Sequence, residues 1–252
     1  SALFVGWNSG ANGLPAAVST GNVAIEGEGT SFASIQGNSN VYIKSNGGTL
    51  FIGSAPLGSN GVSTGLGTGG FTVGPVVNNN FTLMTGGIFS SVILGDATTS
   101  GTVTVNQALG NGTLSAGVCT VSNCITGPIT VQAGGMYNAA TTATGGNVQI
   151  NSAITSSGAA INILAGNGVA NPAGQTATYS IAPGGINVVA NLSSAGGAIT
   201  LSNANNSANA AVYVGQTVTS FNSGTGVGLS ASAITSSGGA INIVGSSNTT
   251  GM

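Results

Sequence analysis

The sequence predicts an all-β chain built as one parallel β-helix, or β-solenoid, with coils of about 20 residues. Three observations point there. Segments of the second half repeat one another, apolar residues alternate with polar ones at period two, and only 2% of the 252 residues are charged. An ordinary globular domain is roughly 25% charged.

The repeats come first because they decide the architecture. Residues 147–164 read NVQINSAITSSGAAINIL, 186–202 read INVVANLSSAGGAITLS, and 227–244 read VGLSASAITSSGGAINIV. Anchored on Ile154, Leu192 and Ile234, they lie 38 and 42 residues apart. Each contains a short alternating segment (Val148, Ile150), a lone apolar residue (Ile154), a Ser-Ser-Gly corner and a second alternating segment (Ile161, Ile163). Alternation bounded by Gly, Asn and Ser is the signature of strands and turns, and no window shows helical spacing. Weaker strand-like segments at 177–181 and 211–214 lie between the strong repeats. They suggest two units of about 20 residues in each interval, hence roughly a dozen coils in a rod about 50–60 Å long.

The first half follows the same pattern less strictly. Short strands are expected at 22–25, 41–43, 49–52, 71–73, 81–83, 91–94, 102–105 and 129–131, separated by paired glycines such as Gly47-Gly48 and Gly134-Gly135. Residues 54–69 and 165–176 read as loops. No linker divides the chain, so residues 1–252 form one solenoid domain, irregular over 1–144 and regular over 145–250. Such units cannot bury their apolar side alone and must stack. Gly and Asn suit the corners, where positive φ is needed. Stacking also accounts for the missing charge, since a charge repeated in every coil would face its like at about 5 Å.

The segments Gly145–Ile163 and Ser232–Ile243 resemble the filamentous-haemagglutinin-like repeats of large bacterial exoproteins, which are exported by two-partner secretion. The resemblance covers about 145–250 and rests on repeat pattern. It implies a right-handed parallel β-helix, secretion, and service as a surface adhesin or fibre. The N-terminal secretion domain of that family is not recognisable in residues 1–140.

The charge inventory excludes whole classes of function. Glu26, Glu28, Lys44 and Asp96 are the only charged residues, and histidine is absent. General acid–base catalysis draws on His, paired carboxylates or Lys, so no enzyme activity is expected. A pectate-lyase-type site would use clusters of Asp, Lys and Arg. Lys44 has no partner base nearby and reads as a solvated strand residue. Glu26 and Glu28 share one strand face, but calcium wants 6–8 oxygen ligands, so no metal or other cofactor is expected. Gly65-Leu-Gly-Thr-Gly-Gly70 lacks the Lys-Ser/Thr and helix of a phosphate loop. One lysine cannot displace the counterions of a nucleic acid, and no apolar run reaches the ~18 residues of a membrane span. An ice-binding face would repeat Thr-x-Thr on every coil; Thr102-Val-Thr104 does so once, and the strong repeats carry Asn or Gln instead.

Two features remain as candidate sites. Cys119 and Cys124 lie five residues apart, so a disulfide between them needs a turn at Ser122-Asn123. That bridge would place the chain in an oxidising, extracellular or cell-surface setting. The start, Ala2-Leu-Phe-Val-Gly-Trp7, is among the most apolar stretches and lacks the basic region of a signal peptide. The chain therefore reads as a mature or excised segment. Leu3, Phe4, Val5 and Trp7 are the candidate subunit-docking residues, joining one copy head-to-tail to the next. The expected function is an extracellular structural protein assembling with itself into a fibre for adhesion or matrix. The alternative is a segment of a monomeric adhesin whose faces bind carbohydrate or a cell surface.

Overall fold

The structure, a computed structural model, describes residues 3–6, 23–27, 35–38, 41–43, 47–54, 70–74, 81–83, 85–97, 99, 101–138, 146–167, 179–181, 184–203, 212–218, 226–229 and 232–245. Among them every regular element is a strand, and most strands pair in parallel. Sheet A has seven strands in sequence order: Val23–Gly27, Thr49–Ser54, Ser91–Leu94, Ile129–Ala133, Ile161–Ala165, Ile199–Asn203 and Ile241–Val244. Sheet B also has seven: Val41–Ile43, Phe81–Leu83, Phe71–Val73, Val103–Val105, Val148–Ile150, Ile186–Val188 and Val212–Val214. Phe81–Leu83 comes before Phe71–Val73 in this sheet, the one break in chain order. Sheet C stacks Ile154–Thr155, Leu192–Ser193 and Ile234–Thr235, and Leu109 bridges onto Ile154.

From Val148 onward the chain visits the sheets in the order B, C, A three times, an arrangement consistent with a β-solenoid. Ile154, Leu192 and Ile234, the anchors of the sequence alignment, are register partners in sheet C. Each interval of 38 or 42 residues is therefore one layer. Successive partners in sheet A lie 27 residues apart from Val23 to Leu50 and 42 from Leu50 to Val92. The expected coil of about 20 residues is thus corrected: sheet A holds seven layers, spanning about 30 Å at ~4.8 Å each.

Antiparallel side pairs take up the extra length. Met136–Asn138 pairs antiparallel with Tyr179–Ile181, and Gln216–Val218 with Gly226–Leu229, both outside the parallel stacks. The weak strand signal at 177–181 belongs to one of these excursions, while that at 211–214 is the sheet B strand of a full layer.

Alternation becomes burial directly. In Ile161–Ala165 the residues alternate between buried and part-exposed, and Val148, Ile150, Ile154, Ile161 and Ile163 are all fully buried. Strands of sheets A and B approach each other across this core. Fully burying each such aliphatic side chain contributes about 1.5–3 kcal/mol. The earlier layers use bulkier groups, with Phe71 and Phe81 packed edge-to-face at 6.3 Å between ring centroids.

The corner after sheet C explains the Ser-Ser-Gly motif. Ser156, Ser194 and Ser236 are buried, and each hydroxyl donates to the carbonyl three residues on, at Ala159, Gly197 and Gly239. A buried hydroxyl without a partner would cost about 1–3 kcal/mol. The corner's last residue lies against the layer below. A Cβ on Gly197 would sit 2.1 Å from the Ala159 carbonyl oxygen, and one on Gly239 2.1 Å from that of Gly197. Asparagines tie layers together elsewhere: Asn147 Oδ1 accepts from Gly185 N, and Asn191 Oδ1 from Ala233 N, each at 2.8 Å.

Candidate assembly surface

Val212–Val214, Ile234–Thr235 and Ile241–Val244 are the last strands of sheets B, C and A, and together they make one layer. Among the described residues each has a sheet neighbour on one side only. The register puts Ile241 and Ile243 on Ile199 and Leu201. Ile199 and Leu201 are 0% exposed, whereas Ile241 is 44% and Ile243 51% exposed. Val244 and Val214 are exposed beside them. This end of the stack therefore combines a row of backbone groups without a strand partner among the described residues with core-type side chains, the combination that templates strand addition.

At the other end, Val23–Gly27 is the first strand of sheet A and Val41–Ile43 that of sheet B. Glu26 sits opposite Gly53 in the register. A Cβ at Gly53 would meet Asp96 Oδ2 at 2.8 Å, so the Asp96 carboxylate lies against this position. Asp96 also closes a turn: its backbone N–H donates to Thr99 Oγ1 at 2.9 Å, and its carbonyl accepts from Gly134 N at 3.1 Å. Glu28 and Lys44 fall outside the described residues.

The docking candidates at the N-terminus are placed only as backbone. Leu3–Gly6 is a strand paired in parallel with Ile35–Asn38, with Leu3, Phe4 and Val5 opposite Ile35, Gln36 and Gly37. This two-stranded sheet is separate from sheet A. Trp7 lies outside the described residues.

The cysteines close the base of a projecting hairpin. Thr113–Ser115 and Val118–Thr120 pair antiparallel through a two-residue turn in which Ala116 (φ 48°) and Gly117 (φ 77°) are both left-handed, as primed hairpin turns require. A disulfide joins Cys119 to Cys124 across a bend in which Val121 has φ 74° and is 81% exposed. Buried Asn123 pins the base: its Oδ1 accepts from Gly110 N at 2.7 Å and its Nδ2 donates to the Ala108 carbonyl at 3.0 Å. Leu114 and Val118 are exposed on the hairpin. A cleft of about 510 Å³ runs beneath it, lined by Thr113, Leu114, Ile125, Thr126 and Ser157 among others.

No group of three or more His, Cys, Asp or Glu gathers among the described residues, and no helix there is long and apolar enough to cross a membrane. The chain matches no known protein family, no curated protein and no solved structure.

Sequence reasoning missed both the hairpin and the exposed last layer. The hairpin had a signal, since Thr-Leu-Ser and Val-Cys-Thr alternate on either side of Ala116-Gly117. The last layer had none. Ile241-Asn-Ile243 repeats Ile161-Asn-Ile163 letter for letter, yet one set is exposed and the other buried.

Proposed function

We propose that this protein is an extracellular structural element, a right-handed parallel β-helix that stacks end to end on copies of itself into a fibre serving adhesion or matrix, with no catalysis. The carrying observation is the last layer, where Ile241, Ile243 and Val244 are exposed on a strand edge that pairs with no other described strand. Another copy continuing the stack would remove them from water, at about 25 cal/mol per Å² of apolar surface, and would satisfy the backbone edge. A head-to-tail contact of this kind does not close on itself and so propagates. Low charge favours it, because stacked copies meet little like-charge repulsion. The disulfide Cys119–Cys124 supports an extracellular or cell-surface location. The resemblance to haemagglutinin-like repeats supports the fibre reading on the pattern of residues 145–250.

Negative-stain microscopy of purified protein tests this. Filaments of uniform width with an axial repeat of one subunit are the expected result. Isolated particles at every concentration would refute it. The rival reading, a monomeric carbohydrate-binding adhesin, rests on the row Thr130, Asn162, Thr200 and Asn242 on sheet A. It predicts those isolated particles together with glycan binding.

A further inference from the structure

We propose that the Cys119–Cys124 disulfide is a thiol-exchange site: a dithiol reductant entering the cleft beneath the hairpin attacks Cys124, and a strained bend at Val121 makes the bridge readily reducible. The site lies between Val103–Val105 and Ile129–Ala133, in the middle of the stack, so it does not depend on end-to-end assembly.

The strain sits at one residue. Among the described residues other than glycine, Ala116, Val121, Ala195 and Ser237 have a left-handed φ. Ala116, Ala195 and Ser237 are small and lie in turns, at φ 48–52°. Val121 is β-branched and has φ 74°, where such a residue is a genuine outlier. Its side chain is 81% exposed, so side-chain packing does not hold it there. The chain on either side does. After it, the Ser122 carbonyl accepts from Gly86 N, the Asn123 carbonyl accepts from Gly112 N, and Cys124 N donates to the Gly87 carbonyl. Before it, Thr120 pairs with Thr113 in the hairpin. The disulfide ties Cys119 of the hairpin to Cys124 of the stack, and Val121 absorbs the closure. Strain that only the oxidised form carries makes a disulfide more oxidising.

Access is one-sided. Cys119 and Cys124 are only 5% and 3% exposed. Cys124 lines the cleft together with Gly112, whereas Cys119 does not. A Cβ on Gly112 would lie 2.8 Å from each sulfur, so any side chain there would crowd this approach. A thiolate in the cleft therefore meets Cys124 Sγ first. Its attack forms a mixed disulfide with Cys124 and expels Cys119 as a thiolate, which takes a proton from water. The second thiol of the reductant, as its thiolate, then attacks the reductant's own sulfur in the mixed disulfide. The reductant leaves as a cyclic disulfide, and Cys124 is expelled and protonated in turn. Two electrons pass from the dithiol to the protein. Val121 then relaxes to the extended region and the hairpin is released at its base, while residues 122–124 stay bonded to the stack.

The test equilibrates the folded protein with reduced and oxidised dithiothreitol at neutral pH and counts thiols by mass spectrometry after alkylation. Far-ultraviolet circular dichroism follows the β-structure. Val121→Asn and Val121→Gly tolerate a left-handed φ. For half-reduction they should need a ratio of reduced to oxidised dithiothreitol about tenfold higher than wild type, a shift of about 30 mV. Val121→Ile keeps the β-branch and should match wild type. Brief exposure of wild type to glutathione with iodoacetamide present should leave glutathione on Cys124 and the alkyl group on Cys119, read by peptide mass spectrometry. Equal ratios in wild type, Val121→Asn and Val121→Gly would overturn the strained switch, as would loss of the β-structure signal on reduction. Glutathione on Cys119 instead of Cys124 would overturn the route through the cleft.

Discussion

Residues 153–163 and 233–243 differ only at Ala159 and Gly239, yet the first stretch lies inside the stack and the second in its last described layer. Ile161 and Ile163 are fully buried between strands on both sides, while Ile241 and Ile243 have a neighbour on one side and are about half exposed. Their local sequences are the same, so the difference belongs to position in the stack. In a solenoid the core lies between the sheets and each layer is closed off by the next, so a last layer without a polar cap presents a face like the interior. Such a face is both an aggregation hazard and a ready assembly surface.

Mutation can break this comparison. Ile163→Ala should cost about 2–5 kcal/mol in urea denaturation, the range for truncating a buried aliphatic side chain. Ile243→Ala, measured in dilute unassembled protein, should cost well under half of that. Equal losses would mean that the last layer is covered, and the contrast would disappear.

The Ser-Gly corners give a second, smaller contrast. Gly197→Ala forces a Cβ onto the Ala159 carbonyl and should cost about 1–3 kcal/mol or more. Gly238→Ala meets nothing within 4 Å, and its φ of 112° alone should cost about 1–2 kcal/mol. A reversed order would show that the layers are not stacked as closely as these contacts require.

The disulfide separates the hairpin from the stack. Cys119→Ser with Cys124→Ser removes a short-loop crosslink worth about 2 kcal/mol by loop-closure entropy. Hydrogen exchange should quicken at 113–120 and stay slow in Ile161–Ala165 and Ile199–Asn203. Uniform acceleration through both sheets would show that the hairpin is part of the cooperative core.

Much of the fold was legible because alternation and stacking both leave marks in sequence. The columns Ile154–Leu192–Ile234 and Ile161–Ile199–Ile241 follow from aligning the repeats, and the buried serines mark the corners. Coil length was not legible, because a side strand such as Tyr179–Ile181 alternates like a strand of the stack while pairing antiparallel with Met136–Asn138. A strand's own residues report its two faces and say little about its neighbours across the ladder. The same limit hid the exposed face: nothing in Ile241-Asn-Ile-Val244 records that its far side meets no other described strand.

Sedimentation velocity across a concentration series, comparing wild type with Ile243→Lys, is the most direct measurement of whether the last layer joins copies. Wild type should sediment as species growing with concentration, and Ile243→Lys as a 23.8 kDa monomer with unchanged β-structure. A wild type that remains monomeric throughout, or a variant that assembles as well as wild type, would contradict assembly through this layer.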